Sequence, residues 1–342
     1  MKILGANWLL GRVQIRERRV KRVLHPPKVN KEALKECFLS RKVWVADLYV
    51  RCLHRCAYCY SEHPGTPKKL TIKINAPEIV RRELEKYRDT PFIVNLGSGT
   101  DPYQPLEAVY CLTRKVVKLV IRAGKPLYIC TKSTLVTRDL DLLGNYSNCW
   151  VGISISSLSS KYAQIFEQGA PKPSERINCA EKLLESGVPV VVRIDPILPY
   201  VNDEPGGIRE LIEEIASIGV KHVVAGVLKL DRRGFIFNGN PNRPTWKKPL
   251  KEALEVWGGE KLVNKYLELY RDKGELLYGY LVPKEGYRWK ILSFIAEECK
   301  RRGIAFTTCR MGLNIKRRLT RPLTPDGYWC ACYAFPILGK KL

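Results

Sequence analysis

Val50-Arg51-Cys52-Leu53-His54-Arg55-Cys56-Ala57-Tyr58-Cys59-Tyr60 is the stretch around which the chain is organised. It sets Cys52, Cys56 and Cys59 at C-x3-C-x2-C spacing. Thiolates this close in sequence can converge on one soft metal centre. Protein-held iron–sulfur cubes mostly take one cysteine per iron. Three cysteines would therefore leave one iron without a protein ligand, and an open metal position is where a reactant binds in catalytic sites. The same residues also read as a structural zinc knuckle, with His54 or His63 as the fourth ligand.

The residues just before this loop, Val43 to Val50, are β-branched and aromatic and predict one strand. Downstream, strands and helices alternate. Helices are expected at Ala76–Arg88, Leu112–Ala123, Leu135–Leu143, Ser174–Ser186 and Gly207–Ile218, most closed by a glycine. The Ser174 helix carries a Ser/Glu-type opening cap. Continuous apolar strands are expected at Pro91–Leu96, Pro126–Cys130, Cys149–Ile155, Pro189–Ile194 and His222–Val227. Apolar strands separated by amphipathic helices imply a parallel sheet covered on both faces. The predicted fold is α/β, a partial (β/α)6 TIM-type barrel over residues 43–230. Residues 1–42 read as a basic extension wrapping the barrel, with a charge run at Arg16 to Arg22. Residues 231–342 read as a helical extension with a long loop at Arg232–Pro249. Helical segments follow at Lys251–Lys273 and Tyr287–Arg302, then a short strand near Ile304–Thr307.

The composition narrows the function. The chain has 342 residues, and 59 Lys and Arg against 34 Asp and Glu give a net charge of +25. That excess favours polyanionic partners, nucleic acid first among them. A general enrichment in charged residues, as in thermophiles, is the bland account, but here the acids do not keep pace. No apolar run is long enough for a transmembrane helix. The basic residues after Leu10 argue against a signal peptide. Twelve cysteines are too sparse for a disulfide scaffold and fit a reducing cytosol.

Parallel α/β barrels place their chemistry at the carboxyl ends of the strands. The strand ends supply the cysteine loop, Gly97 to Asp101 with Tyr103, Lys132 with Ser133, Ser154 with Ser156, and Arg193 with Asp195. Each has a plain structural reading: a turn, a surface lysine, a helix stop. Together they offer glycine for close approach, hydroxyls, and a cation for a carboxylate.

The motif Cys52-x-His54-x-Cys56-x-Tyr58-Cys59-Tyr60 resembles the radical S-adenosylmethionine (SAM) superfamily. Within it, the resemblance is to the subgroup similar to spore photoproduct lyase, also described as DNA repair photolyase-like. Thr100 to Glu107, Thr131-Lys132-Ser133 with Arg138-Asp139, Pro171 to Arg176, and Arg193 to Pro196 continue the likeness over residues 43–230. The resemblance implies a [4Fe-4S] cluster on Cys52, Cys56 and Cys59, and an external electron donor. It implies SAM contacts from Ser98, Thr100 and Asp101 to the amino group, and from Lys132 and Ser154 to the carboxylate. Tyr58 would lie against the adenine. Tyr103 and Asp195 are the candidates for a direct part in the chemistry. One departure stands out. Spore photoproduct lyase returns a hydrogen atom from a cysteine near the second strand. Here no cysteine falls between Cys59 and Cys111, and Ser98 takes the equivalent place. A hydroxyl O–H is a poor hydrogen donor to a carbon radical.

Cys309, Cys330 and Cys332 form a second group that could hold an auxiliary iron–sulfur cluster or a zinc ion; reduced thiols near the C-terminus are the alternative. Cys299 shares an apolar helical face and is expected to pack in the core. Three functions fit these features: a radical SAM enzyme acting on nucleic acid, one acting on a protein or peptide, and a metal-stabilised nucleic-acid-binding module without catalysis.

Overall fold

The computed structural model describes residues 14–26, 42–59, 61, 69–231, 248–308, 311 and 313. Residues 232–247 of the expected loop Arg232–Pro249 and the cysteines Cys309, Cys330 and Cys332 lie outside the described residues, as do His63 and Tyr60. The last two loop positions already belong to a helix, Lys248–Leu267.

The strands are β1 (Ile15–Arg18), β2 (Leu24–His25), β3 (Val43–Ala46), β4 (Tyr49–Val50), β5 (Leu70–Lys73), β6 (Ile93–Leu96), β7 (Leu127–Thr131), β8 (Cys149–Ser154), β9 (Val190–Ile197), β10 (His222–Val227), β11 (Leu230–Asp231), β12 (Glu275–Leu277), β13 (Tyr280–Val282) and β14 (Ala305–Thr308). The longer helices are α1 (Ala76–Lys86), α2 (Leu112–Arg122), α3 (Ser160–Phe166), α4 (Pro173–Glu185), α5 (Pro205–Ser217), α6 (Lys248–Leu267) and α7 (Glu285–Arg301).

Among the described residues the main sheet runs β2-β3-β6-β7-β8-β9-β10-β14. Its pairs are parallel except β2–β3, which is antiparallel. The six strands β3 and β6 to β10 form the partial TIM-type barrel that the pattern predicts. β14, from the C-terminal segment, adds a seventh parallel strand beside β10. Part of the basic N-terminal segment also joins the sheets: β2 caps the β3 edge, and β1 pairs with β5.

Strand alternation sorts the barrel side chains. Leu127, Ile129, Val151, Ile153, Val192, Ile194, Val223 and Ala225 enter the main apolar core with the helices. The alternate positions include larger and polar residues, among them Tyr128 and Trp150 with ring centroids 5.6 Å apart and His222 bonded to Thr307 at 2.9 Å. The covering helices bury one stripe each, as α2 does with Val116, Val117 and Val120. Cys299 is fully buried in this core.

Several local expectations change. The helix expected over Leu135–Leu143 is a 3-10 turn, Thr134–Asp139, followed by a short α-helix, Leu140–Leu143. The single strand over Val43 to Val50 is two, broken at Asp47 and Leu48. The Asp47 carboxylate accepts the Gly99 N–H at 2.9 Å, and Tyr49–Val50 turn away to pair with β5. The helix after Pro171 opens at Lys172 rather than Ser174. Pro173 occupies its first turn, and the Glu175 carboxylate accepts the Lys172 N–H at 2.6 Å. The helical stretch after Lys251 is kinked at Gly258 and Gly259, and its last turn, Glu268–Asp272, is π-helical.

Candidate functional site

The cysteine loop leaves β4 with Arg51 and Arg55 both at positive φ, 68° and 48°, which folds it into a compact turn. Its backbone closes on itself through Cys59 N–H to Cys56 O at 3.0 Å. Contacts from outside the loop fix it. Ala57 N–H donates to Phe166 O at 2.8 Å, and Gly169 N–H to His54 O at 2.9 Å. The Gln104 side chain, fully buried, accepts from Leu53 N–H at 3.0 Å and donates to Arg51 O at 3.1 Å. Gly169 is required here: a Cβ would stand 2.2 Å from the Leu53 carbonyl oxygen.

Cys52, Cys56 and Cys59 are free thiols, each half-buried. Burial, the nearby Asp101 carboxylate and the charges of the other two cysteines push the Cys52 thiol up. Burial first and Glu167 next push Cys56 up to about 12, against the opposing pull of Lys132. Cys59 Sγ lies 3.1 Å from the Ser61 hydroxyl. Among the described residues no three His, Cys, Asp or Glu side chains are already gathered tightly enough to hold a metal ion. The donor set nevertheless fits a thiolate-held cluster: three soft ligands on one loop, none in a disulfide, within electrostatic range of one another.

Beside the loop sits a buried charge network. Tyr58, 6% exposed, donates its hydroxyl to Glu167. Glu167 pairs with Arg176 at 2.5 Å and lies 3.9 Å from Lys132 Nζ. Lys132 Nζ also stands 5.6 Å from the centre of the Tyr58 ring. Burial alone would neutralise Glu167, but Arg176 and Lys132 outweigh it and hold its carboxyl below the usual range. Arg176 reaches further, donating to Ser154 O at 3.0 Å and Pro171 O at 2.8 Å. Lys132, just past the carboxyl end of β7, thus stands beside the cysteine loop, and Ser154, at the end of β8, joins the network through Arg176.

Asp101 has a different place from the one the motif suggests. Its two oxygens take four protein donors: Thr131 hydroxyl at 2.6 Å, Lys132 N–H at 2.7 Å, Tyr103 N–H at 2.9 Å and His54 Nδ1 at 3.2 Å. Burial works against this charge, yet His54 and these hydrogen bonds hold the carboxyl below its usual range. Asp101 buckles the cysteine loop to the ends of β6 and β7. Gly97 allows that closeness. Its φ is +97°, and a Cβ there would lie 2.1 Å from the Cys130 carbonyl oxygen. Ser98 is half-buried, and Thr100 donates to Tyr49 O at 3.1 Å, tying the same turn to β4.

Of the two candidates for direct chemistry, Tyr103 is fully buried with its hydroxyl given to Asp139 at 2.9 Å. It faces a separate cluster and not the cysteine loop. Asp195, at the end of β9, pairs with Arg193 at 2.6 Å, their side chains 18% and 13% exposed. It stays at the barrel mouth. Sequence reasoning missed Glu167, Gln104 and Gly169, and weighed His54 only as a zinc ligand. The contacts that Glu167, Gln104 and Gly169 make with the cysteine loop span 51 to 115 positions of chain, which no local pattern reports. A cavity of about 880 Å³ borders the loop, with Cys52, Cys56, Arg51, Arg55 and Lys69 in its wall.

Among the described residues no helix is long and apolar enough to cross a membrane. The radical SAM superfamily model matches residues 47–212. An uncharacterised protein of Acidianus two-tailed virus is 31% identical over 211 residues, spanning 54% of this chain and 67% of that protein. A radical SAM Nα-GlyT isomerase of Pseudomonas phage M6 is 22% identical over 283 residues, spanning 81% of this chain and 54% of that protein. In fold, the chain is similar to a double mutant of spore photoproduct lyase with bound AdoMet and dinucleoside spore photoproduct. That likeness has a TM-score of 0.60 at 17% identity, over 85% of this chain and 80% of that one. With its cysteine loop at the head of a parallel barrel, the chain belongs to the radical SAM superfamily and is a radical SAM enzyme.

Proposed function

We propose that the chain holds a [4Fe-4S] cluster on Cys52, Cys56 and Cys59 and cleaves SAM to modify or repair a nucleic acid. The observation that carries this is Lys132, just past the carboxyl end of β7, beside Tyr58 of the cysteine loop, with Glu167 and Arg176 linking it to the Ser154 carbonyl at the end of β8. When bound, the cluster supplies the electron that breaks a carbon–sulfur bond of SAM to give a 5′-deoxyadenosyl radical.

The chain's own residues do the holding. Lys132 is the cation for the SAM carboxylate, and Glu167 with Arg176 positions it beside Tyr58. Ser98, Thr100 and Ser154 line the rim that receives the polar end of SAM. Asp101 is a positioning residue, since its oxygens are filled by protein donors. Asp195 is the candidate for proton handling at the mouth. The catalytic unit is residues 43–230, with β14 extending its sheet. The 1–42 segment contributes β1 and β2 to its edges. An auxiliary metal on Cys309, Cys330 and Cys332 is part of the proposal, to be read from iron and zinc content.

The nucleic-acid substrate is supported by the net charge of +25 and by the likeness to a lyase bound to a dinucleoside. Loss of a cysteine near the second strand argues for a different quenching step from that lyase's.

Anaerobically reconstituted protein, given SAM and dithionite, should release 5′-deoxyadenosine and methionine. The triple variant Cys52→Ala/Cys56→Ala/Cys59→Ala should lose both brown colour and cleavage. Intact SAM with a loaded cluster would overturn the radical assignment. Binding to DNA should weaken steeply as salt rises, because phosphate contacts release counterions. A flat dependence would return the charge to ordinary surface and favour a peptide substrate.

A further inference from the structure

We propose that Tyr200 and Lys265, at the barrel mouth, bind an unpaired nucleotide of the substrate strand, the ring stacking on the base and the ammonium meeting its phosphate. This rests on the nucleic-acid reading above and goes beyond it by naming the form of the substrate and the residues that take it.

Tyr200 lies just past the carboxyl end of β9, in the short link to α5, on the same edge of the sheet as the cysteine loop. Its backbone is left-handed, with φ at 61°. A bulky side chain is unfavourable there, and glycine or asparagine would be easier. Burial does not compensate, because Tyr200 is 43% exposed. A strained, exposed aromatic at the mouth of a site points to a function for the ring.

The surroundings suit a base. The Tyr200 ring meets Tyr266 edge-on, with centroids 6.4 Å apart, and Tyr266 stacks on Tyr270 at 5.7 Å. Both inner tyrosines are buried, so the outer ring is braced. Lys265 Nζ lies 5.2 Å from the Tyr200 ring centre. The nearby carboxylates are engaged: Asp203 accepts the Tyr287 hydroxyl, and Glu268 pairs with Lys273. The same buried aromatic cluster extends to Tyr58 of the cysteine loop. Its other corner repeats the arrangement, with Lys161 Nζ 4.8 Å from the Trp257 ring centre and Trp257 against Phe166 at 5.7 Å. An aromatic ring beside a cation is the pairing that single strands use, stacking for the base and charge for the backbone.

The test uses the cluster-loaded full chain and fluorescein-labelled single-stranded DNA, with affinity measured by anisotropy across a salt series. Tyr200→Ala should weaken single-strand binding about 5- to 100-fold, with the salt slope unchanged. Tyr200→Trp should restore it. Lys265→Gln should lower the slope by about one phosphate contact. Tyr200→Gly separates structure from binding: it relieves the backbone, so melting temperature should hold or rise while affinity falls. Wild-type affinity in Tyr200→Ala, with the wild type binding DNA, would overturn the stacking role alone. No DNA binding by the wild type would overturn the nucleic-acid reading and this inference with it.

Discussion

Two buried carboxylate clusters lie on the same side of the barrel and serve different ends. In the first, Glu107 and Asp139, both fully buried, are ringed by Arg138, Arg114, Tyr49 and Tyr103. Glu107 accepts from Tyr49 at 2.6 Å, Thr113 N–H at 2.9 Å and Arg138 at 2.8 Å. Asp139 accepts from Tyr103, Arg114 and Arg138, each at 2.9 Å. In the second, Glu167 and Asp101 are ringed by Arg176, Lys132, Tyr58 and His54. The residue types match almost one for one. The difference lies in what each cluster touches. The first clamps helix ends and loops together. The second abuts the cysteine loop, and its Lys132 sits at the open end of β7. A buried charge network is therefore not a site marker by itself; contact with the reactive loop is what separates them.

The largest expected effect breaks the first cluster. Glu107→Gln replaces the charged acceptor of Tyr49, Thr113 N–H and Arg138 with a neutral amide. Bonds to a charged group are worth about 1.5–3 kcal/mol each, so the change should cost about 3–5 kcal/mol of stability, read as a lower melting temperature. SAM should still raise that melting temperature by the same increment as in the wild type, because the cluster does not hold ligand. A lost SAM increment would show that the two clusters act as one.

The next effect is on ligand rather than fold. Lys132→Ala removes the cation assigned to the SAM carboxylate, a charge-assisted contact worth about 1.5–3 kcal/mol, so SAM should bind about 10- to 100-fold more weakly. Calorimetric titration of the cluster-loaded protein checks it. Arg176 still pairs with Glu167, so the melting temperature without SAM should move little. Equal SAM affinity would leave Lys132 as a structural partner of Glu167 and make the clusters alike.

The barrel was legible because its signals are local. Runs such as Val190-Val191-Val192 and helices closed by Gly124, Gly187 and Gly219 announce their type within ten residues, and all three glycines adopt the positive φ that a helix end needs. The cysteine loop was legible for the same reason. The break at Asp47 was not, since it depends on the amide of Gly99, 52 positions on. Glu167 was missed because only the folded chain brings it to Tyr58, Lys132 and Arg176. The motif Thr100 to Glu107 shows the limit most clearly. It reads as one unit, yet Asp101 goes to the cysteine loop, Gln104 beneath that loop, and Tyr103 and Glu107 to the other cluster.

Tyr103 is where that split can be tested most finely. It stands two residues from Asp101, and by motif position alone it is as good a candidate for chemistry. Its hydroxyl, however, donates to Asp139, and burial with that carboxylate pushes its own ionisation well up. A phenol held neutral and enclosed is a hydrogen-bond donor, not a proton carrier. Tyr103→Phe keeps the ring and removes one donor, while Arg114 and Arg138 still satisfy Asp139. The loss should be about 1 kcal/mol, visible in urea midpoint with an unchanged m-value. The rate of 5′-deoxyadenosine release per loaded cluster should stay at the wild-type level. A tenfold fall in that rate without loss of stability would move Tyr103 into the reacting site and dissolve the boundary between the two clusters.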